Sequence, residues 1–281
     1  VAAAIPTLVP SAVQLVSAAC DKGDPGYCAP STDNFLYRSF ASFHIAGIDF
    51  EITKLTMLLY LGIVIVAAVF LWSTRASKVV PSKKQWLAEE AYGFVRNGVA
   101  GDVIGEANAA RFGPYLASVF FFVLILNLFE IIPVAQVPVT GRIAYPAFLA
   151  AISWILFNYI GIKQHGAKKY FKTMLFPPGV PWPIYILLTP IEFFSTLVVR
   201  PFTLAVRLFA NMFAGHLLLL VFTTGAIYLF NVGGVSYVFG AVSGLMTILI
   251  TFFELLVDLL QAYIFVILTA IYVQGALAEE H

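Results

Sequence analysis

The sequence predicts an all-α integral membrane protein: about five membrane helices plus one amphipathic surface helix, with the last two helices long, steeply tilted and packed as a hairpin. Composition is the first reason. Of the 281 residues, 60% are hydrophobic and 11% are charged, whereas a soluble domain carries roughly a quarter charged residues. Patterning is the second: apolar runs longer than the ~18 residues that mark a membrane span recur along the chain. The third is the length of the final two runs, Ile184 to Phe230 and Val235 to Ala278. At ~1.5 Å per residue each makes about 60–70 Å of helix, twice the ~30 Å hydrocarbon thickness. Tilts up to ~40° absorb ordinary mismatch; these runs need more inclination than that, or a strong bend.

Residues 1–50 read as an extramembrane extension with turns at Asp21–Pro30 (DKGDPGYCAP), and 51–281 as the membrane domain. Cys20 and Cys28 lie in the extension without CxxC spacing or a neighbouring histidine cluster, so no metal site is expected there. A disulfide in an oxidising compartment and two free thiols are both open. Leu55 to Trp72 is the first span, followed by a basic stretch of Arg75, Lys78, Lys83 and Lys84. Residues 85–112 carry Glu89, Glu90, Arg96, Asp102, Glu106 and Arg111; they are too polar to span and fit a helix lying on the membrane surface. Pro114 to Pro133 is the second span and Ala144 to Ile162 the third, joined by a short loop holding Arg142.

A second basic cluster follows, Lys163, Lys168, Lys169 and Lys172, and then the proline-rich stretch Phe176–Pro183. Two spans separate the basic clusters, so both lie on one side, which the positive-inside rule assigns to the cytoplasm or mitochondrial matrix. The N-terminus then falls outside and, after two more spans, the C-terminus inside. In the long hairpin, 184–278, Asn231, Gly233 and Gly234 are expected to form the turn, and Pro190 and Pro201 to kink the first helix. The net charge of +1 gives no bulk electrostatic reason to expect nucleic acid.

The chemistry concentrates in that hairpin. It holds Glu192, Arg200, Arg207, Asn211, His216, Glu254, Asp258 and Gln261. A charge at the bilayer centre costs ~2.5–3.5 kcal/mol on insertion scales, so such residues mark ion pathways by default. Arg200, Arg207 and Asn211, spaced i, i+7, i+11, share one helical stripe. His216 lies nine residues past Arg207, about 180° around at ~100° per residue. Glu254, Asp258 and Gln261, spaced i, i+4, i+7, form one polar face. Glu, Asp and His can relay protons when burial and neighbours tune them, whereas arginine keeps its proton. This pattern suggests two proton-accessible compartments separated by a fixed positive charge. Other readings stay open: Arg200 pairing with Glu192, eight residues and about 80° away at ~100° per residue, or the carboxylates serving only as interhelical glue. Asn127 and Glu130, near the end of the second span, are candidates to line a wet vestibule.

The stretch Thr189–His216 (TPIEFFSTLVVRPFTLAVRLFANMFAGH) closely resembles the penultimate helix of the F-type ATP synthase a subunit, also called subunit 6. Leu260–His281 is similar to the final helix of that family, and the likeness extends to NLFEIIP at Asn127–Pro133, to GIKQHGAKKYFK and to PPGVP. It covers roughly residues 50–281. The resemblance implies that Arg207 is the family's essential arginine, set between two half-channels and facing the carboxylates of a rotating c-ring. It further implies that Asn211 follows Arg207 by one turn, that Gln261 faces it from the last helix, and that His216 and Glu254 form the acid/histidine pair of the outer half-channel. Asp258 is a less secure relay group. The His-then-Glu order is similar to mitochondrial and related bacterial forms.

The partners so implied are the c-ring, the peripheral stalk and other membrane subunits, and the lipid bilayer. No cofactor, metal or nucleic acid is expected, and without a P-loop nucleotide binds elsewhere. The chain would be a proton-translocating, non-catalytic subunit. The absence of an initial Met and the N-terminal extension favour a processed protein of the mitochondrial inner membrane, with a bacterial inner membrane second. The rivals are a transporter or channel of another family, a structural assembly subunit, and a sodium-coupled version of the same machine.

Overall fold

A computed structural model describes residues 41–45, 48–74, 81–132, 135–176 and 182–277; Cys20, Cys28 and most of the extension lie outside them. Two short strands, β1 (Ala41–Ile45) and β2 (Ile48–Ile52), pair antiparallel with Ile45 opposite Ile48. Everything else of length is helical. Five helical segments are long and apolar enough to cross a membrane. They are α1 (Lys54–Thr74), α3 (Glu106–Leu128), α4 (Ala144–His165), the pair α6 (Trp182–Phe194) and α7 (Arg200–Val232), which runs on as one segment, and α8 (Ser236–Leu277). Two shorter helices are α2 (Lys83–Gly93) and α5 (Ala167–Leu175).

Each boundary has a local cause. The Thr53 hydroxyl accepts the Thr56 amide at 3.4 Å and opens α1, and the Ser82 hydroxyl does the same for Gln85 at the start of α2. α2 passes into a π-helical stretch, Phe94–Gly101, that buries Val95, Val99 and Ala100 while Arg96 stays exposed. This is the amphipathic segment the charges predicted. The second span starts earlier than Pro114, because the chain breaks at Gly105 and Glu106 opens α3; Pro114 sits inside the helix, as membrane helices tolerate. α3 ends at Leu128 rather than at Pro133, and the carbonyls of Asn127 and Leu128 accept turn bonds from Glu130, Ile131 and Ile132. The hairpin turn lies where expected, on Gly233 (φ 80°) and Gly234 (φ 66°), a left-handed pair that glycine adopts without a Cβ penalty. Asn231, however, remains within α7.

The described residues divide into two compact units. One combines residues up to Tyr60, Leu126–Gly141 and Asn211–Asp258. Within it, Lys54 Nζ donates to the Ala135 carbonyl at 2.7 Å, and the two arms of the hairpin are tied by the Ser243 hydroxyl donating to the Phe222 carbonyl at 2.8 Å. The other combines Leu61–Ile125, Arg142–Ala210 and residues from Leu259 on. Its core joins Leu116 and Val123 of α3, Ala150 and Phe157 of α4, Leu208 of α7 and Val266 of α8. Alanines recur there, among them Ala205, Ala262, Ala270 and Ala276, and small residues let membrane helices approach closely enough to gain packing energy.

Candidate functional site

In the first unit, three carboxylates converge. Glu130 lies just past α3, and Glu254 and Asp258 lie one turn apart on α8. One carboxylate oxygen from each falls within 4.8 Å of the others, and the three residues are at most 4% exposed. His216 of α7 closes the group, its Nδ1 3.0 Å from Glu130 Oε1. Glu130 Oε2, Glu254 Oε1 and both Asp258 carboxylate oxygens are buried without a hydrogen-bond partner among the described residues. Charged carboxylates this close repel one another, and the same oxygens can accept protons or ligate a hard cation. Asn127, fully buried, ties it to the neighbouring turn: its Nδ2 donates to the Asp258 carbonyl at 3.4 Å, and its Oδ1 accepts from the Thr140 hydroxyl at 2.9 Å.

Helix packing leaves a notch for this cluster at Gly215. A Cβ there would collide with the Glu254 carboxylate, which lies directly against the glycine.

In the second unit, a cavity of about 220 Å³ opens among α4 to α8. Glu192 and Arg200 both line it, with His165, Lys169, Tyr170, Thr196 and Tyr272. The sequence spacing had put Glu192 and Arg200 about 80° apart, and the structure corrects this. Between them the helix takes a π-turn, Ser195–Val199, in which the Arg200 amide donates to Ser195, five residues back. The extra residue winds the chain back by about one ~100° step, and both side chains reach the same cavity. No ion pair joins them among the described residues; Arg200 instead lies over the Tyr272 ring, 5.5 Å from its centre.

Pro201 leaves one carbonyl of this turn open. In this register the Thr196 carbonyl would accept from residue 201, and proline has no N–H to give. The Trp154 indole on α4 donates to that carbonyl in its place, at 3.2 Å.

Arg207 belongs to the second unit and is exposed, with no hydrogen-bond or ion-pair partner among the described residues. It stands at the midpoint of the apolar segment Trp182–Val232. Gln261, in the same unit, is 5% exposed, and Asn211, in the first, is half-buried.

A family model described as ATP synthase A chain matches residues 55–274. The chain belongs to that family. Among its relatives, the ATP synthase subunit a of Parafrankia sp. (strain EAN1pec) is 48% identical over 258 residues, spanning 91% of this chain and 86% of the relative. That of Frankia alni is 48% identical over 260 residues, spanning 92% and 89%, and that of Streptomyces lividans 44% over 256 residues, spanning 91% and 90%. These relatives come from bacteria and not from mitochondria, which favours the second of the two expected membranes.

For a member of the ATP synthase A chain family, the sequence located the polar residues but not their partners. His216 takes Glu130 as its hydrogen-bond partner, a residue the sequence offered only as vestibule lining. Three positions went unnoticed. Gly215 was hidden inside the quoted AGH motif, where a glycine beside an intramembrane histidine was the available signal. Thr140 and Trp154 gave no signal, since their roles exist only across elements.

Proposed function

We propose that this chain is the proton-conducting stator subunit of a rotary ATP synthase in a bacterial inner membrane, working against a c-ring and joined to the peripheral stalk and other membrane subunits. It performs no covalent chemistry; nucleotide is bound and turned over by other subunits. The observation that carries this reading is Arg207, a guanidinium exposed and without a partner among the described residues, at the middle of a 51-residue apolar segment. A charge in that position costs several kcal/mol unless something outside this chain meets it, and the carboxylates of a ring rotating past would do so.

The carboxylate cluster serves as the outer half-channel. A proton arriving from outside protonates the His216–Glu130 pair, passes to Glu254 and Asp258, and neutralises a ring carboxylate, which can then move into lipid. After nearly a full turn the ring carboxylate releases its proton into the cavity lined by Glu192 and Arg200, the inner half-channel. Arg207, which keeps its proton, blocks direct passage from one channel to the other, with Asn211 and Gln261 as its polar neighbours in function. Each charge moved through 100 mV supplies ~2.3 kcal/mol for rotation. The lengths of α6–α7 and α8, about 76 and 63 Å at ~1.5 Å per residue, support a steep inclination to the membrane normal and a path that follows the ring surface. Most of residues 1–50, which the sequence reads as an extramembrane extension, lie outside the described residues.

Arg207→Ala tests the proposal. The expected result is an assembled complex that hydrolyses ATP without pumping protons. Loss of assembly would instead make Arg207 a structural strut. Replacing sodium in the same assay must leave pumping intact; a sodium requirement would assign the three-carboxylate cluster to that ion.

A further inference from the structure

His165 closes the last turn of α4 and lines the inner cavity, yet the proton path above gives it no task. Its Nε2 is buried and makes no hydrogen bond among the described residues, and the Thr196 hydroxyl beside the same cavity, in a residue 1% exposed, likewise has no partner among them. Two orphaned polar atoms around a cavity of about 220 Å³ call for water; at ~30 Å³ per molecule there is room for several, each able to make the missing bonds.

The other titratable and charged groups facing this space are Lys169 and Tyr170 from α5, Glu192 from α6, Arg200 from α7 and Tyr272 from α8. Among these side-chain types, imidazole is the one whose charge changes between pH 5 and 8. Ammonium and guanidinium have donors and no acceptor, whereas a neutral imidazole carries an acceptor on one ring nitrogen and a donor on the other. A cavity that must both take up and give off protons near neutrality therefore has one ready-made exchanger.

We propose that His165 is the proton-exchanging group of the inner cavity. Its Nε2 accepts a proton from a cavity water, and the N–H bond so formed breaks when the proton passes to water of the inner compartment; during ATP-driven pumping the same two steps run in reverse. No other bond changes and no oxidant or co-reactant is needed. The inference rests on reading the cavity as the inner half-channel.

The test uses the whole ATP synthase in inverted membrane vesicles at low buffer concentration. His165→Ala and His165→Gln should both slow ATP-driven proton pumping severalfold near pH 7, and millimolar imidazole in the medium should restore the His165→Ala variant while leaving the natural chain unchanged. Unaltered pumping in both variants, or a loss that imidazole does not repair, overturns the proposal. A separate variant distinguishes failure of the channel itself. Ala276→Cys, made with Cys20 and Cys28 replaced by serine, places a thiol on the cavity wall. An impermeant thiol reagent applied from the inner face should stop pumping. If it does while the His165 variants pump normally, the channel stands and the role of His165 falls; if it does not, the inner half-channel assignment fails and takes this inference with it.

Discussion

A methyl group at position 215 would occupy the space in which the Glu254 carboxylate lies. The obstacle is the end of a side chain, so the backbone need not move, but the carboxylate must leave the cluster it shares with Glu130 and Asp258. Gly215→Ala should therefore lower proton flux with the complex still assembled. Glu254→Asp, one methylene shorter, should recover part of that flux in the Gly215→Ala background, although it weakens the natural chain. Equal losses in the single and double variants, measured as ATP-driven pumping, would contradict the geometry. Thr140→Val leaves Asn127 Oδ1 without its donor in a fully buried site, which should cost about 1–3 kcal/mol and appear as a lower denaturation midpoint of the complex. These residues also mark where sequence reasoning stopped. Buried carboxylates and a histidine stand out against an apolar background, and so Glu254, Asp258 and His216 were legible. The pairing of His216 with Glu130 was not, because spacing along one helix says nothing about which neighbour a side chain meets.

The π-turn at Ser195–Val199 sets the rotational phase of everything that follows it on α7, Arg200 and Arg207 included. It survives because Trp154 satisfies the carbonyl that Pro201 leaves without a donor. Trp154→Phe keeps the ring and removes the N–H, so it should reduce coupling between ATP hydrolysis and pumping. Pro201→Ala restores a backbone donor to the turn and should recover coupling when combined with Trp154→Phe. If the double variant is as impaired as the single, the indole acts through packing alone. From the sequence, Pro201 was readable as a distortion, but its form was not. A π-turn has no hydrophobic period of its own, and the 80° assigned to Glu192 and Arg200 followed from assuming an uninterrupted helix. The span boundaries, set by continuous apolar runs, were recovered to within a few residues except for α3, which starts eight residues before Pro114 because Glu106 and Arg111 lie inside it, and ends five before Pro133.

Across the whole molecule, topology follows from where the charges cluster. Lys84 and Lys168 are exposed and lie on the two basic segments, while exposed Arg142 lies on the loop between the spans that separate them. Single cysteines at 84 and 168, in a chain with Cys20 and Cys28 replaced, should react with an impermeant thiol reagent from the inner face only, and a cysteine at 142 from the outer face only; any other distribution breaks the assignment of inside and outside. The five-span plan and family membership were both legible because they rest on long-range composition and on motifs of many residues. The organisation into two compact units was not, since α7 and α8 each contribute to both and no break in the sequence marks the division. The measurement that bears most directly on the motor reading is a density map of the assembled complex in its membrane. The Arg207 guanidinium should lie at mid-membrane depth, within about 4 Å of a c-ring carboxylate, a distance at which such a pair interacts strongly. Finding it among lipid headgroups, or turned away from the ring, would contradict the account.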